Sequence, residues 1–191
     1  MLRYAIVDGT YLRGHASRLA ADGIDYIQLR AKSLPAGDIL ELAQIILADI
    51  AAIPNATTCL LINARADIAF ASHAHGVHLT STSDELTPEQ VRILLSPLSS
   101  TSCTTSLSCH TLADIARART LAPDLILFGP IFEKRVAGEL IQPGIGLDAL
   151  RAAVRAAGEI PVLALGGITH ENTAACLAAG AAGIASIRLF A

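Results

Sequence analysis

Leu163-Ala-Leu-Gly-Gly-Ile168 is a short apolar run that closes on paired glycines, and Gly183-Ile-Ala-Ser-Ile-Arg188 repeats its strand character further along. Between them, Thr169 to Ala179 has the length of one helix and is stopped by Gly180. Strand, glycine turn, helix and strand make a βαβ unit. The turn at the carboxyl end of its first strand exposes backbone N–H groups, which bind phosphate without a cationic side chain. In the last units of a parallel barrel, such a turn is where a phosphorylated small molecule usually sits. Taken alone, Gly166-Gly167 also reads as nothing more than the freedom a tight strand-to-helix turn requires.

The same alternation runs through the rest of the chain. Strand-like runs fall at Tyr4–Val7, Tyr26–Arg30, Leu60–Asn63, Gly76–Leu79, Thr101–Thr105, Leu125–Phe128, Val162–Leu165 and Gly183–Ile187. Helix-sized stretches separate them, at Tyr11–Ala21, Pro35–Ile50, Ala64–Ser72, Thr87–Leu95, Thr111–Leu121, Leu147–Ala157 and Thr169–Ala179. Thr87-Pro88-Glu89 places proline at the first helical position behind a threonine cap, and Glu171 puts a carboxylate in the first turn after Thr169. Strands alternating with helices predict an α/β fold, a (β/α)8 TIM barrel rather than a doubly wound open sheet. The 191 residues are read as one domain over 1–191, short against the roughly 250 usual for this barrel. The sequence stops at Ala191, just past the eighth strand, so the last helix is expected to be missing or vestigial. Outer side chains such as Ala185 and Ile187 would then lie partly wet beside the first and last strands. An exposed apolar patch usually marks an interface, so a homodimer is expected.

Composition narrows the partners. Lys and Arg total 14 against 17 Asp and Glu, a net charge of −3, which gives no electrostatic case for nucleic acid or a membrane surface. Hydrophobic residues make up 52%, yet no apolar run approaches the ~18 residues of a membrane span. Met1-Leu-Arg-Tyr reads straight into the first strand, so no signal peptide is expected. Cys59, Cys103, Cys109 and Cys176 lack CxxC spacing and read as small hydrophobes in a reducing compartment, so a cytoplasmic protein is expected.

Function in such a barrel belongs at the carboxyl ends of the strands. Arg30 and Lys32 stand at one of these ends, where an arginine fork and a lysine point charge suit a carboxylate or phosphate; a solvated loop pair is the plainer reading. Asn63 closes an apolar strand and either caps a turn or offers a donor and an acceptor. His110 follows the fifth strand and precedes a helix. An imidazole there is suited to moving a proton between two atoms, or else it is an idle first-turn residue. His73, His75 and His78 suggest a metal cluster, but the first two precede the fourth strand, at its opposite end, so a structural or solvated role is preferred. Cys109 and His110 are adjacent and do not face one another on a helix, so they do not make a nucleophile and base. Glu133 to Gly146 reads as a loop long enough to cover an active site.

Gln28-Leu-Arg-x-Lys32, Ile62-Asn63-x-Arg65-x-Asp67, Gly76-Val-His-Leu79, Ser108-Cys-His110, Phe128-Gly-Pro-Ile-Phe132 and Ala164-Leu-Gly-Gly-Ile168 followed by Glu171-Asn172 come in this order. Together they resemble the thiamine-phosphate synthase and thiazole tautomerase superfamily over nearly the whole chain. The resemblance implies a barrel that binds a thiazole phosphate, and Arg30, Lys32, Asn63 and Ser108 are expected to bind substrate. It places the phosphate at Gly167 and at the backbone of Ile187 and Arg188.

The two branches of that superfamily differ in chemistry. Synthases join a hydroxymethylpyrimidine diphosphate to a thiazole phosphate and hold Mg²⁺ with two aspartates. Here those positions are Ala64 and Ser83, with Asp84 one residue beyond. Mg²⁺ needs hard oxygen ligands, and alanine supplies none. Synthases also carry Pro-Thr-x-Thr-Lys after Gly-Pro-x-Phe, where this chain has Glu133-Lys-Arg-Val-Ala137. Tautomerases need neither metal nor diphosphate, and use the histidine after the fifth strand as the proton shuttle, which here is His110. The expectation on these departures is therefore a thiazole tautomerase-like isomerase of thiamine biosynthesis without cofactor. The alternatives are a thiamine-phosphate synthase, with Mg²⁺ at Asp84, and a non-catalytic thiazole-phosphate-binding regulator.

Overall fold

The computed structural model describes residues 1–10, 14–82, 84–98, 103–136 and 139–190. Its elements, in chain order, begin with β1 (Leu2–Val7), α1 (His15–Ala21), β2 (Tyr26–Leu29), α2 (Ala36–Ala51), β3 (Cys59–Asn63), α3 (Ala66–Ser72), β4 (Gly76–Leu79) and α4 (Pro88–Leu95). They continue with β5 (Thr104–Cys109), α5 (Leu112–Leu121), β6 (Leu125–Phe128), β7 (Lys134–Val136), β8 (Glu139–Gln142), α6 (Gly146–Ala157), β9 (Val162–Leu165), α7 (His170–Ala178) and β10 (Gly183–Ser186). Eight strands form a closed parallel barrel in the order β1-β10-β9-β6-β5-β4-β3-β2, while β7 and β8 pair separately. This is the α/β TIM-barrel fold expected from the alternation of strands and helices.

Two compact units divide the chain, one of Tyr4–Leu79 with Asp84–Thr105, the other of Met1–Arg3 and Thr80–Ser83 with Ser106–Ala191. In the first unit, Leu60, Leu61 and Ile62 are wholly buried, as befits a parallel strand covered on both faces. Helix α2 buries Ile39, Ala43, Ile46 and Ile50, a stripe at helical spacing. Each buried Ile or Leu contributes on the order of 2 kcal/mol of transfer free energy. Register sets Gln28 beside Leu61 and Asn63 beside His78. Polar side chains are thereby collected at the carboxyl ends of β2, β3 and β4.

The second unit is built on Ile126, Leu127, Phe128 and Ile131, all wholly buried. Its parallel register runs Cys109↔Phe128 between β5 and β6, Phe128↔Ala164 between β6 and β9, and Ala185↔Leu165 between β10 and β9. Helices α5 and α7 start in reciprocal capping boxes. Thr111 pairs with Asp114 and Thr169 with Asn172, each threonine hydroxyl accepting from the backbone N–H of its partner.

Three expectations change. The fifth strand lies at Thr104–Cys109 rather than Thr101–Thr105, and Thr101 and Ser102 fall outside the described residues. In a run of serines and threonines, polarity marks neither end of a strand. The packing of Thr105, Ser106, Leu107 and Cys109 into the interior decides the boundary instead. The stretch read as a loop from Glu133 holds the antiparallel ribbon β7–β8, with Val136 opposite Glu139; its Ala137 and Gly138 lie outside the described residues. Helix α3 starts at Ala66, not Ala64, because Ala64 takes a left-handed φ of 56°. The opening of the first predicted helix, Tyr11 to Arg13, lies outside the described residues.

Among the described residues no helix follows β10. Ala185, expected to be partly wet, is buried, whereas Ile187 is 54% exposed. Cys109 and Cys176 are buried, while Cys59 and Cys103 are half-buried. No helix among the described residues is long and apolar enough to cross a membrane.

Candidate functional site

In the first unit, Gln28 is buried at the end of β2, and its Nε2 donates to Asn63 Oδ1 at 2.8 Å. The other end of the same amide, Oε1, is buried with no hydrogen-bond partner among the described residues. An unpaired buried acceptor costs about 1–3 kcal/mol, so its persistence needs a reason, and a ligand N–H is one. His78 is buried next to Asn63 in register. Burial, and secondarily the positive charge of Arg30, push its pKa down to about 3, so the ring is neutral at physiological pH. The Tyr4 hydroxyl lies 3.5 Å from His78 Nδ1, and the two rings meet edge on.

Arg30 and Lys32 are exposed just beyond β2, on either side of buried Ala31. The Arg30 N–H donates to the Val7 carbonyl at 2.8 Å, which fixes the strand exit. Neither side chain makes an ion pair among the described residues. His75, by contrast, serves the scaffold, its Nδ1 accepting from the Leu60 N–H at 2.9 Å.

The donor set bears directly on a metal. Ala64 offers a methyl group where a carboxylate would be needed, and its N–H donates to the His78 carbonyl at 2.8 Å. The next carboxylate, Asp67, is held at two points by Arg65, with Nε to Oδ1 at 2.8 Å and Nη2 to Oδ2 at 2.6 Å. The hydrogen bond from Arg65 lowers the Asp67 pKa against the opposing effect of burial. Asp84 is an exposed carboxylate on a turn, Asp8 is another beyond β1 with Oδ1 bonded by the Thr10 N–H and hydroxyl, and Ser83 lies outside the described residues. No group of three or more metal-binding side chains occurs among the described residues. These residues do not fit a protein-held Mg²⁺, which needs an octahedron of hard oxygens.

In the second unit, His110 follows β5 directly and its Nδ1–H donates to the Gly129 carbonyl at 2.6 Å. That bond fixes the tautomer and leaves Nε2 as an acceptor. Burial raises the pKa of the neighbouring Cys109 thiol to about 12, so it is inert as a nucleophile. Ser108 is half-buried in β5, opposite Leu127 of β6.

The glycine turn is under two constraints at once. Gly166 and Gly167 have φ of 96° and 63°, and a Cβ on Gly167 would stand 2.7 Å from Phe132 Cβ. The Asn172 amide donates to the Gly167 carbonyl at 2.9 Å and holds that carbonyl toward α7. No hydrogen bond from the Gly166 or Gly167 N–H is made among the described residues. These are the donors that a phosphate would use. At the end of β10 the arrangement is less open. Ser186 Oγ accepts from the Arg188 N–H at 3.2 Å and the Leu189 N–H at 3.1 Å. The Arg188 amide is thus engaged, while its side chain and Ile187 are exposed. The base of the β7–β8 ribbon is tied down beside this turn, the Ile145 N–H donating to Pro130 O and the Gly146 N–H to Ile131 O, both at 2.9 Å.

The structure therefore collects Gln28, Asn63, Arg30 and Lys32 in one unit, and His110, Gly167, Ile187 and Arg188 in the other. Gln28 had no assigned role from sequence. A glutamine set between Ile27 and Leu29 on a buried strand was the available signal, since a polar residue there is rarely idle. Ser186 gave no comparable signal.

The family model described as thiamine monophosphate synthase matches residues 4–190. The thiamine-phosphate synthase of Methanoculleus marisnigri is 36% identical over 192 residues, covering 96% of this chain and 84% of its own. The putative thiamine-phosphate synthase of Geobacter sulfurreducens is 40% identical over 170 residues, 87% of this chain and 73% of its own. The solved thiamine phosphate pyrophosphorylase from Pyrococcus furiosus superposes with a TM-score of 0.77 at 24% identity, covering 97% of this chain and 85% of its own, a likeness of fold. These names overturn the expectation of a thiazole tautomerase-like isomerase, which rested on Ala64, on Glu133 and on the position of His110. A histidine after the fifth strand does not by itself select the isomerase.

Proposed function

The chain belongs to the thiamine monophosphate synthase family, and we propose from that membership that it is a transferase joining hydroxymethylpyrimidine diphosphate to a thiazole phosphate. In that reaction the bond from the pyrimidine's exocyclic methylene carbon to the diphosphate oxygen breaks, and its electron pair leaves with diphosphate. The lone pair of the thiazole ring nitrogen forms the new C–N bond. No proton, oxidant or reductant enters the balance.

The buried Oε1 of Gln28, without a partner among the described residues, is the observation that carries this reading. An amino-substituted pyrimidine brings an N–H donor to satisfy it, and Asn63, held by the same glutamine, is set to bond the ring edge. Arg30 and Lys32 supply positive charge to the diphosphate, which stabilises it as a leaving group. In the other unit, the amides at Gly166 and Gly167, which donate to no acceptor among the described residues, support binding of the thiazole's phosphate, with Ile187 and the Arg188 side chain beside β10. His110, with its tautomer fixed by Gly129, offers Nε2 as an acceptor for orienting a substrate.

The test is direct. Purified protein is incubated with the two substrates, and thiamine phosphate is followed chromatographically after oxidation to its fluorescent thiochrome. Product is expected. Gln28→Leu should raise the KM for the pyrimidine substrate about tenfold, the scale of one lost hydrogen bond to a buried acceptor. No product, with or without added Mg²⁺, sinks the proposal.

A further inference from the structure

Four features of the first unit concern charge, and they agree. Position 64 carries a methyl group at the end of β3. Asp67 is neutralised by its two-point pairing with Arg65. His78 is buried and neutral. Arg30 and Lys32 stand beyond β2 with no ion pair among the described residues. The strand ends of this unit thus present two positive charges with no ion pair among the described residues, while the exposed carboxylates Asp8, whose Oδ1 is bonded by Thr10, and Asp84 lie on separate loops. A divalent cation would meet like charge there, and a diphosphate would meet opposite charge.

We infer that the first unit holds its diphosphate through Arg30 and Lys32 with no divalent cation resident on the protein. This rests on the transferase reading and deepens it, since it assigns the neutralisation of the leaving group to side chains. Two point charges replace one divalent ion, so the ligand's charge is met without an octahedral cage. Ala64 is informative in a second way. Its left-handed backbone is one that Asp and Asn adopt more readily than Ala, so a carboxylate can be installed there without remodelling the turn.

Binding, measured apart from turnover, tests the inference. The probes are Mn²⁺ alone, followed by electron paramagnetic resonance, and inorganic pyrophosphate, followed by calorimetry. Wild-type protein is expected to leave Mn²⁺ free and to bind pyrophosphate in EDTA, within about twofold of its affinity in Mg²⁺. Arg30→Ala and Lys32→Ala should each weaken pyrophosphate about tenfold, as loss of a charge-assisted bond predicts. Ala64→Asp should gain Mn²⁺ affinity. Micromolar Mn²⁺ binding by the wild type, abolished by Asp84→Asn, overturns the inference; so does pyrophosphate binding that requires Mg²⁺ or is absent in both conditions. The wild-type measurements stand even if Ala64→Asp fails to fold. Pyrophosphate binding in EDTA without formation of thiamine phosphate refutes the transferase reading and leaves this one intact. Product formation together with tight Mn²⁺ binding does the reverse.

Discussion

At the scale of single residues, His78 and Gly167 show how little of a residue's role its type reveals. His78 is a titratable group that the fold keeps from titrating: burial holds its pKa at about 3, against about 6.5 for a free histidine. Between those values the unfolded chain binds a proton that the folded chain refuses. Stability from this group is therefore complete above about pH 6.5 and falls by about 1.4 kcal/mol for each unit of acidification toward pH 3. Burial depresses His75 in the same direction, so the comparison that isolates His78 is wild type against His78→Asn in urea melts across that range. The variant should show the shallower pH slope; equal slopes would place His78 elsewhere. Gly167→Ala adds a methyl group 2.7 Å from Phe132 Cβ at a φ of 63°. It should cost on the order of 1–3 kcal/mol and weaken thiazole phosphate binding, since the amide donors move with the turn. Retained affinity at unchanged stability would remove the glycine turn from the phosphate site.

At the scale of elements, the parts with a period were legible and the parts without one were not. Apolar runs at Leu60–Ile62 and Leu163–Leu165 announced buried parallel strands because nothing polar interrupts them. Thr87 and Thr169 announced helix starts, and the structure adds Thr111, whose hydroxyl bonds a first-turn amide in the same way. The fifth strand has neither signal: its serines and threonines are compatible with strand or loop, and only tertiary burial chooses between them. The β7–β8 ribbon was not legible because Glu139–Gln142 is exposed throughout, so no core demanded an alternation. At the site, the charged pair Arg30 and Lys32 was visible as charge, whereas the orphaned oxygen of Gln28 became visible only when burial was known. The caps carry a prediction of their own. Thr111→Ala removes the hydroxyl that accepts from Asp114 N at 3.1 Å and should destabilise the protein by about 1 kcal/mol. At this chain length that corresponds to a melting shift of about 2–4 °C. Thr111→Ser should restore most of it, and a full loss in the serine variant would show that packing of the methyl group, not the cap, is what matters.

At the scale of the molecule, the barrel scaffold and the chemistry on it separate cleanly. Membership in the synthase family follows from order and spacing along residues 4–190, while the metal ligands that the resemblance implied are replaced in sequence. A resemblance weighed position by position gave too much influence to the replaced ligands, and the whole chain decided otherwise. If the first unit reads the pyrimidine diphosphate and the second the thiazole phosphate, each ligand should stabilise the folded chain on its own, because each binds the folded form and not the unfolded one. At a hundredfold excess over its dissociation constant, a ligand adds about 2.7 kcal/mol. For a domain of this size that raises the melting temperature by roughly 5–10 °C. The increment from pyrimidine diphosphate should vanish with Arg30→Ala/Lys32→Ala and survive Gly167→Ala; the increment from thiazole phosphate should do the opposite. If both increments disappear in the same variant, the two sets of residues do not serve separate ligands, and the division of labour proposed between the units is wrong.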